Sequence, residues 1–295
     1  MTKLRQYLKN SIKLVLSLFV ILSSSCGCST STAPTYSKSS IEESLKKILK
    51  DEYKLEIVPK LVGQTLWIYI PLEQMFEKAQ KPEKYSEKFQ ILENDGGVRS
   101  SRLQLDYLVK AVPEEKKTQE YRISKDAVEK INNVWMALRR VIFSMDRKNR
   151  GEVKFYCLVA SDIKNGFEIT ELLYYEDLIK VSYRFISVTE YQHRVAYNTS
   201  VSFKMIRDKQ GKHVNFRDIT WNDFLIAQIK HRINLKFQKP EVEQSADVDK
   251  EISKIIADTL MIYGRRGIDT VELNNLYTNK KITFDPLEFS PKIKN

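Results

Sequence analysis

A catalytic thiol needs a setting that favours thiolate, a catalytic hydroxyl needs a base within reach, and a metal needs several His, Cys or carboxylate ligands. The chain spreads three cysteines and three histidines over 295 residues. Cys157 lies in KFYCLVAS, among apolar neighbours, and reads as an inert core thiol. His193 falls in TEYQHR, a surface or helix-end position; His213 follows a turn lysine; His231 sits between Lys230 and Arg232 near a helix end, where cations meet the dipole favourably. HExxH and CxxC spacings are absent, and GRRG has a turn's composition without the spacing of a phosphate loop. Asp162, Asp218 and Asp223 stand at strand or helix ends, where Asp223 caps a helix and the other two suit turns. No catalytic residue, cofactor site or metal site is assigned on these patterns. Acid–base carboxylates can lie far apart in a chain, so a hydrolase with a scattered site stays open as the alternative.

The other two cysteines have a different chemistry open to them. Lys3, Arg5, Lys9 and Lys13 precede the uncharged apolar run LVLSLFVIL, Leu14 to Leu22, with no acidic residue before it. Its nine residues, eight apolar and Ser17, fall well short of the roughly 20 that span a bilayer. Residues 1–25 therefore read as a signal peptide, with a permanent anchor helix as the alternative. The segment LSSSC, Leu22 to Cys26, resembles the lipobox of bacterial lipoproteins. The resemblance implies that Cys26 is acylated, with palmitate or similar chains, and becomes the first residue of the mature protein. Cys28, after Gly27, is the alternative site, and plain secretion with two spare thiols is the alternative to both. Residue 27 is Gly and not Asp, which implies the outer membrane as destination in a cell that has one. Acyl burial contributes about 0.8 kcal/mol per CH₂, so one chain holds weakly and two hold firmly. Residues 26–40, rich in Ser and Thr, read as a flexible tether.

Removing residues 1–25, which hold four cations and no acid, lowers the formal net charge from +11 to +7. An exported chain rarely meets nucleic acid, so the partner classes are the membrane itself through its acyl chains, an envelope protein, or an anionic lipid or polymer. Many of the lysines simply solvate helix faces. Two features invite a partner. Arg139, Arg140, Arg147, Lys148 and Arg150 cluster at the end of a long helix, suited to anionic headgroups or to helix-end solvation. TLWIYIP puts Trp67 and Tyr69 on one face of a strand, which is either buried under helices or open to a partner.

The elements that must position these groups follow from periodicity. Ser40 with Glu43 has capping-box spacing before a helix over 41–53. KLEIV and QTLWIYIP read as two adjacent strands, LEQMFEKAQ as a short helix, and residues 81–101 as an irregular loop. RLQLDYLVKAV alternates as a strand, and QEYRI completes a hairpin with it. Ser124 caps a long helix through Met145, and GEVKFYCLVAS is a central strand covered on both faces. ELLYYEDLIKVSYRFI has helical spacing. TSVSFKMI and KHVNF pair across RDKQGK. A helix capped by Thr220 and Asp223, another over about 247–263, and strands VELNNL and KKITF complete the chain. The fold class is α+β, mainly antiparallel sheet with flanking amphipathic helices. The domain division is a first α+β unit over 41–190, with 191–295 a second subdomain or a continuation of it. The functional expectation is a lipid-anchored, non-enzymatic binding or assembly module of a bacterial envelope.

Overall fold

Ile41, Leu45, Ile48 and Leu49 recur at helical spacing, and all four are buried on α1 (Ile41–Tyr53). The computed structural model describes residues 35–84, 89–112, 118–146, 151–237 and 247–289, which belong to one compact unit, Thr35–Asn295. The signal segment, Cys26, Cys28, Arg147, Lys148 and Arg150 lie outside the described residues. The end of the expected tether lies inside them and is tied down: the Thr35 amide donates to the Ser144 carbonyl at 3.0 Å, and Tyr36 bridges Met145.

The protein is α+β. A five-stranded sheet runs in the order β1 (Val58–Val62), β2 (Thr65–Leu72), β7 (Phe155–Asp162), β8 (Phe167–Tyr174), β9 (Ala196–Val201). A four-stranded sheet runs β11 (Lys280–Phe284), β10 (Thr270–Asn275), β5 (Arg102–Ala111), β4 (Phe89–Arg99), and β3 (Phe76–Lys84) pairs with β6 (Thr118–Ile123). Among the described strand pairs only β2 with β7 and β5 with β10 are parallel, so antiparallel strand pairing dominates. The large sheet crosses residue 190, since β9 continues it, and β10 adds to β5 from the first half.

The core follows from strand alternation. In β2 and β7, Leu66, Ile68, Ile70, Tyr156, Leu158 and Ala160 face α1 and α2 (Lys125–Phe143). Trp67, Tyr69, Phe155, Cys157 and Val159 face the other way, into a core shared with α5 (Trp221–Phe237), α6 (Val248–Tyr263) and the second sheet. Because α5 touches β4, β9 and α6, it is buried round most of its circumference instead of along one stripe. Two shorter helices, α3 (Tyr175–Ser182) and α4 (Val188–Arg194), connect β8 to β9.

Several expected elements differ, each for a reason of tertiary pairing. LEQMFEKAQ forms the start of β3 and not a helix, with the Phe76 ring edge-on to Phe167 and the Met75 amide held by Asp162. Residues 89–99 are β4 and not loop. Its turn to β5 uses Ser100 and Ser101 at φ 48° and 62°, a conformation normally signalled by Asn-Gly. Gly96 is required in β4, because a Cβ there would lie 2.8 Å from the Gln104 carbonyl. β6 does not pair with β5, whose two edges are taken by β4 and β10. ELLYYEDL starts as strand β8 because β7 and β9 hydrogen-bond it on both sides. KHVNF forms no strand; after a short 3₁₀ turn at Phe203–Met205, residues 206–217 are irregular and lie across the sheet. The Ser40–Glu43 capping box does not form: Ser40 makes no side-chain cap bond to α1.

Candidate functional site

Most of the chemistry-bearing residues have structural partners. Burial pushes the Cys157 thiol up, so it stays protonated in the core. Burial pushes the Asp162 carboxyl up as well, but the Asn165 side chain and the amides of Met75, Asn165 and Lys164 outweigh it and hold the group below the usual carboxylate range. Asp218 accepts from the Gln64 amide and the Thr65 hydroxyl, each at 2.9 Å. Asp223 forms the reciprocal cap with Thr220 and pairs with Arg217 at 2.6 Å. Against a burial penalty, those bonds bring it down to about 2. Trp67 and Tyr69 are buried: the Trp67 indole donates to the Arg217 carbonyl at 2.7 Å, and the Tyr69 hydroxyl donates to the Asp208 carbonyl. The segment 203–217 covers the aromatic face of β2. Its turn needs Gly211, at φ 68°, since a Cβ there would meet the Tyr69 ring at 3.0 Å.

His213 closes that segment onto the sheet. Its Nδ1 lies 2.6 Å from Asp208 and its Nε2 lies 2.7 Å from Glu168, which also accepts the Ser161 hydroxyl at 2.6 Å. Burial lowers the imidazole's affinity for a proton, but the hydrogen bonds of the two carboxylates prevail and raise its pKa above the ordinary value. With both ring nitrogens engaged, His213 is a clamp. It has no nitrogen left to serve Ser161 as a base.

A second cluster lies on the opposite face of β8. There α2, α3, α4, β8 and β9 enclose a cavity of about 970 Å³ that opens to solvent. Glu171 projects into it from β8, and its Oε2 accepts the Trp135 indole of α2 at 2.6 Å. Among the described residues its Oε1 has no protein partner. Burial raises the Glu171 pKa, and the Trp135 bond only partly opposes that. The Tyr191 hydroxyl, also raised by burial, lines the same cavity. His231 enters from α5. Its Nδ1 accepts the Tyr197 amide at 3.2 Å, satisfying a backbone donor on the outer edge of β9. The proton therefore sits on Nε2, which is buried and has no partner. Burial and then Arg232 push the His231 pKa down to about 4.

The cavity's wall is fixed from behind. Asp177 of α3, buried, accepts Arg194 of α4 at 2.8 Å and the Tyr263 hydroxyl of α6 at 2.9 Å, while Gln228 of α5 donates to the Arg194 carbonyl at 2.7 Å. Four helices are held by one buried polar junction, which is fully paired at Asp177. On the far side of β9 a second cavity of about 1050 Å³ shares Tyr197, Asn198, Thr199, His231 and Asn234 with the first.

Of the residues singled out from the sequence, Arg139 lines the first cavity, at its rim. Arg140, its neighbour, points to α1 and forms a two-pronged ion pair with Glu52, 2.8 Å to each oxygen. Trp67 and Tyr69 lie on the other face of the sheet, so the structure does not bring them together with Arg139. His193, half-buried on α4, is not among the cavity's lining residues. Sequence reasoning missed Glu171, because the run around it has helical spacing. Trp135 it read as part of a core stripe. An acid directly before the apolar pair Leu172–Leu173 is the signal that could have pointed to Glu171.

Among the described residues no group of three His, Cys, Asp or Glu is placed to hold a metal ion, and no helix is long and apolar enough to cross a membrane. No protein family, curated protein or solved structure matches the chain.

Proposed function

We propose that this chain is a lipid-anchored envelope protein whose α+β body is a binding module, with the cavity under α2 as its ligand site. The observation that carries the binding part is an uncommitted Glu171 oxygen in a solvent-open cavity whose wall also holds His231, with its Nε2 buried and unpaired. A cavity of 300–1,000 Å³ with a few convergent polar groups is the usual form of a small-ligand site, and polar groups left without partners are stabilised when a ligand supplies them. The anchor part rests on the basic N-terminus, the short apolar run and LSSSC.

The anchor is tested by incorporation of a tagged fatty acid into the full chain expressed in a bacterium, beside Cys26→Ala and Cys28→Ala. Label that disappears with Cys26→Ala supports acylation there; label lost only with Cys28→Ala moves the anchor to the second site. A chain that takes no label overturns the lipoprotein reading. A second reading, an envelope hydrolase, draws on the burial that raises the Glu171 carboxyl and so favours the protonated form a general acid needs. Its test is a screen of hydrolysable substrates in which Glu171→Gln abolishes turnover while binding survives.

A further inference from the structure

We infer that the cavity under α2 takes a short anionic saccharide, its hydroxyls meeting Glu171, His231 and the cavity's asparagines, and its acidic group meeting Arg139 and Arg184. This deepens the binding reading above and rests on it. Three observations carry it. The first is the kind of polar groups that stand free. Glu171 offers an acceptor, Tyr191 and Tyr197 hydroxyls that do either, and Asn132 and Asn198 side-chain amides that present a donor and an acceptor side by side, while His231 holds an unpaired Nε2 donor buried in the wall. Neighbouring hydroxyls on a sugar ring each donate and accept, so they are matched by such mixed, planar groups. His231 is the most telling member, being 7% exposed with its Nε2 proton unpaired.

The second observation is aromatic. The rings of Trp135, Tyr191 and Tyr197 all line the cavity, and they are able to receive the apolar C–H face of a sugar while the ring's hydroxyls reach the polar groups. The third is charge. Arg139 and Arg184 are exposed at the cavity and have no carboxylate partner among the described residues. A cationic ligand is disfavoured by both. An acyl chain fares poorly for a different reason, since it would cover Glu171 Oε1 and the Tyr191 hydroxyl with hydrocarbon and leave them without a hydrogen-bond partner.

The test is titration of the purified full chain, by calorimetry and by Trp fluorescence, with tetragalacturonate, mannose 6-phosphate, uncharged maltotetraose and palmitate. Tetragalacturonate or mannose 6-phosphate should bind, and which of the two binds tells a carboxylated ligand from a phosphorylated one. Maltotetraose should bind about tenfold more weakly or worse. Arg139→Ala with Arg184→Ala should erase that preference, Glu171→Gln should weaken every saccharide, and Trp135→Phe should remove the fluorescence change. Equal affinity for maltotetraose overturns the anionic part. Palmitate binding alone, abolished by Glu171→Gln, overturns the saccharide and leaves the binding module standing. If no probe binds, the inference fails. The binding reading fails with it only if purification from intact envelopes, crosslinked beforehand, also recovers no ligand or partner sensitive to Glu171→Gln.

Discussion

Glu168 and Glu171 stand three residues apart on β8 and so project from opposite faces of the sheet. Each is half-buried, and each has a histidine nearby, yet the two clusters end in opposite electrostatic states. Glu168 meets His213, whose other nitrogen meets Asp208, and the two carboxylates favour the charged imidazolium. Across the sheet, Glu171 has a single indole donor, and His231 is held neutral by burial with one nitrogen idle. The difference shows how to tell a clamp from a site. Both clusters are buried and polar, but only the second leaves groups unpaired at the wall of a cavity, and each unpaired buried group calls for an explanation such as a ligand that would satisfy it.

The comparison can be broken most sharply at His213. His213→Ala removes the imidazole that joins Glu168 to Asp208, and the loss of one partner from a buried ion pair costs about 3–5 kcal/mol. Denaturant unfolding should show a destabilisation of that order. A loss below about 1 kcal/mol would show that the cluster is not the clamp described.

The pH dependence of stability separates the two histidines by sign. His213 has a raised folded pKa, so its contribution is present below about pH 6.5, the unfolded value, and fades as pH rises through the folded value. His231 is depressed to about 4, so its contribution is present above about pH 6.5 and is lost as pH falls toward 4, on the order of 3 kcal/mol in all. Unfolding midpoints of His213→Gln should lose the alkaline-side decline, and those of His231→Gln should lose the acid-side decline. A swap of these signatures would mean that the protonation states are reversed.

Smaller effects sharpen the open cluster. Trp135→Phe removes the one donor that opposes the rise in the Glu171 pKa, so the carboxyl should titrate still higher by carbon NMR, with about 1–2 kcal/mol of stability lost. Arg139→Ala touches no partner among the described residues and should change stability by less than about 0.5 kcal/mol, while weakening anionic ligands. A large stability loss there would place Arg139 in the fold's framework and take it out of the site.

Elements whose apolar residues repeat over many turns were readable directly. Helices α1, α2, α5 and α6, and strands β2, β5 and β7, lie where periodicity places them, because a long run of one period leaves few ways to bury its side chains. The misread segments are those in which a neighbour overrode a local preference. β8 has helical spacing but two strands to pair with, β4 turns on two serines in place of Asn-Gly, and 203–217 is held by His213 and by Gly211 packed against Tyr69. The candidate site was almost illegible for the same reason: Trp135, Glu171, Tyr191 and His231 come from four elements, and no spacing links them.

By itself, the sequence determined the α+β class, the main helices, the buried central strand and the expectation of a lipidated cysteine, since these depend on local periodicity and composition. Only the tertiary structure decided that two glutamates on one strand take different roles. That outcome depends on which partners arrive from elsewhere in the chain: two carboxylates around one imidazole on one face, and on the other a single indole beside an idle nitrogen at the wall of a cavity.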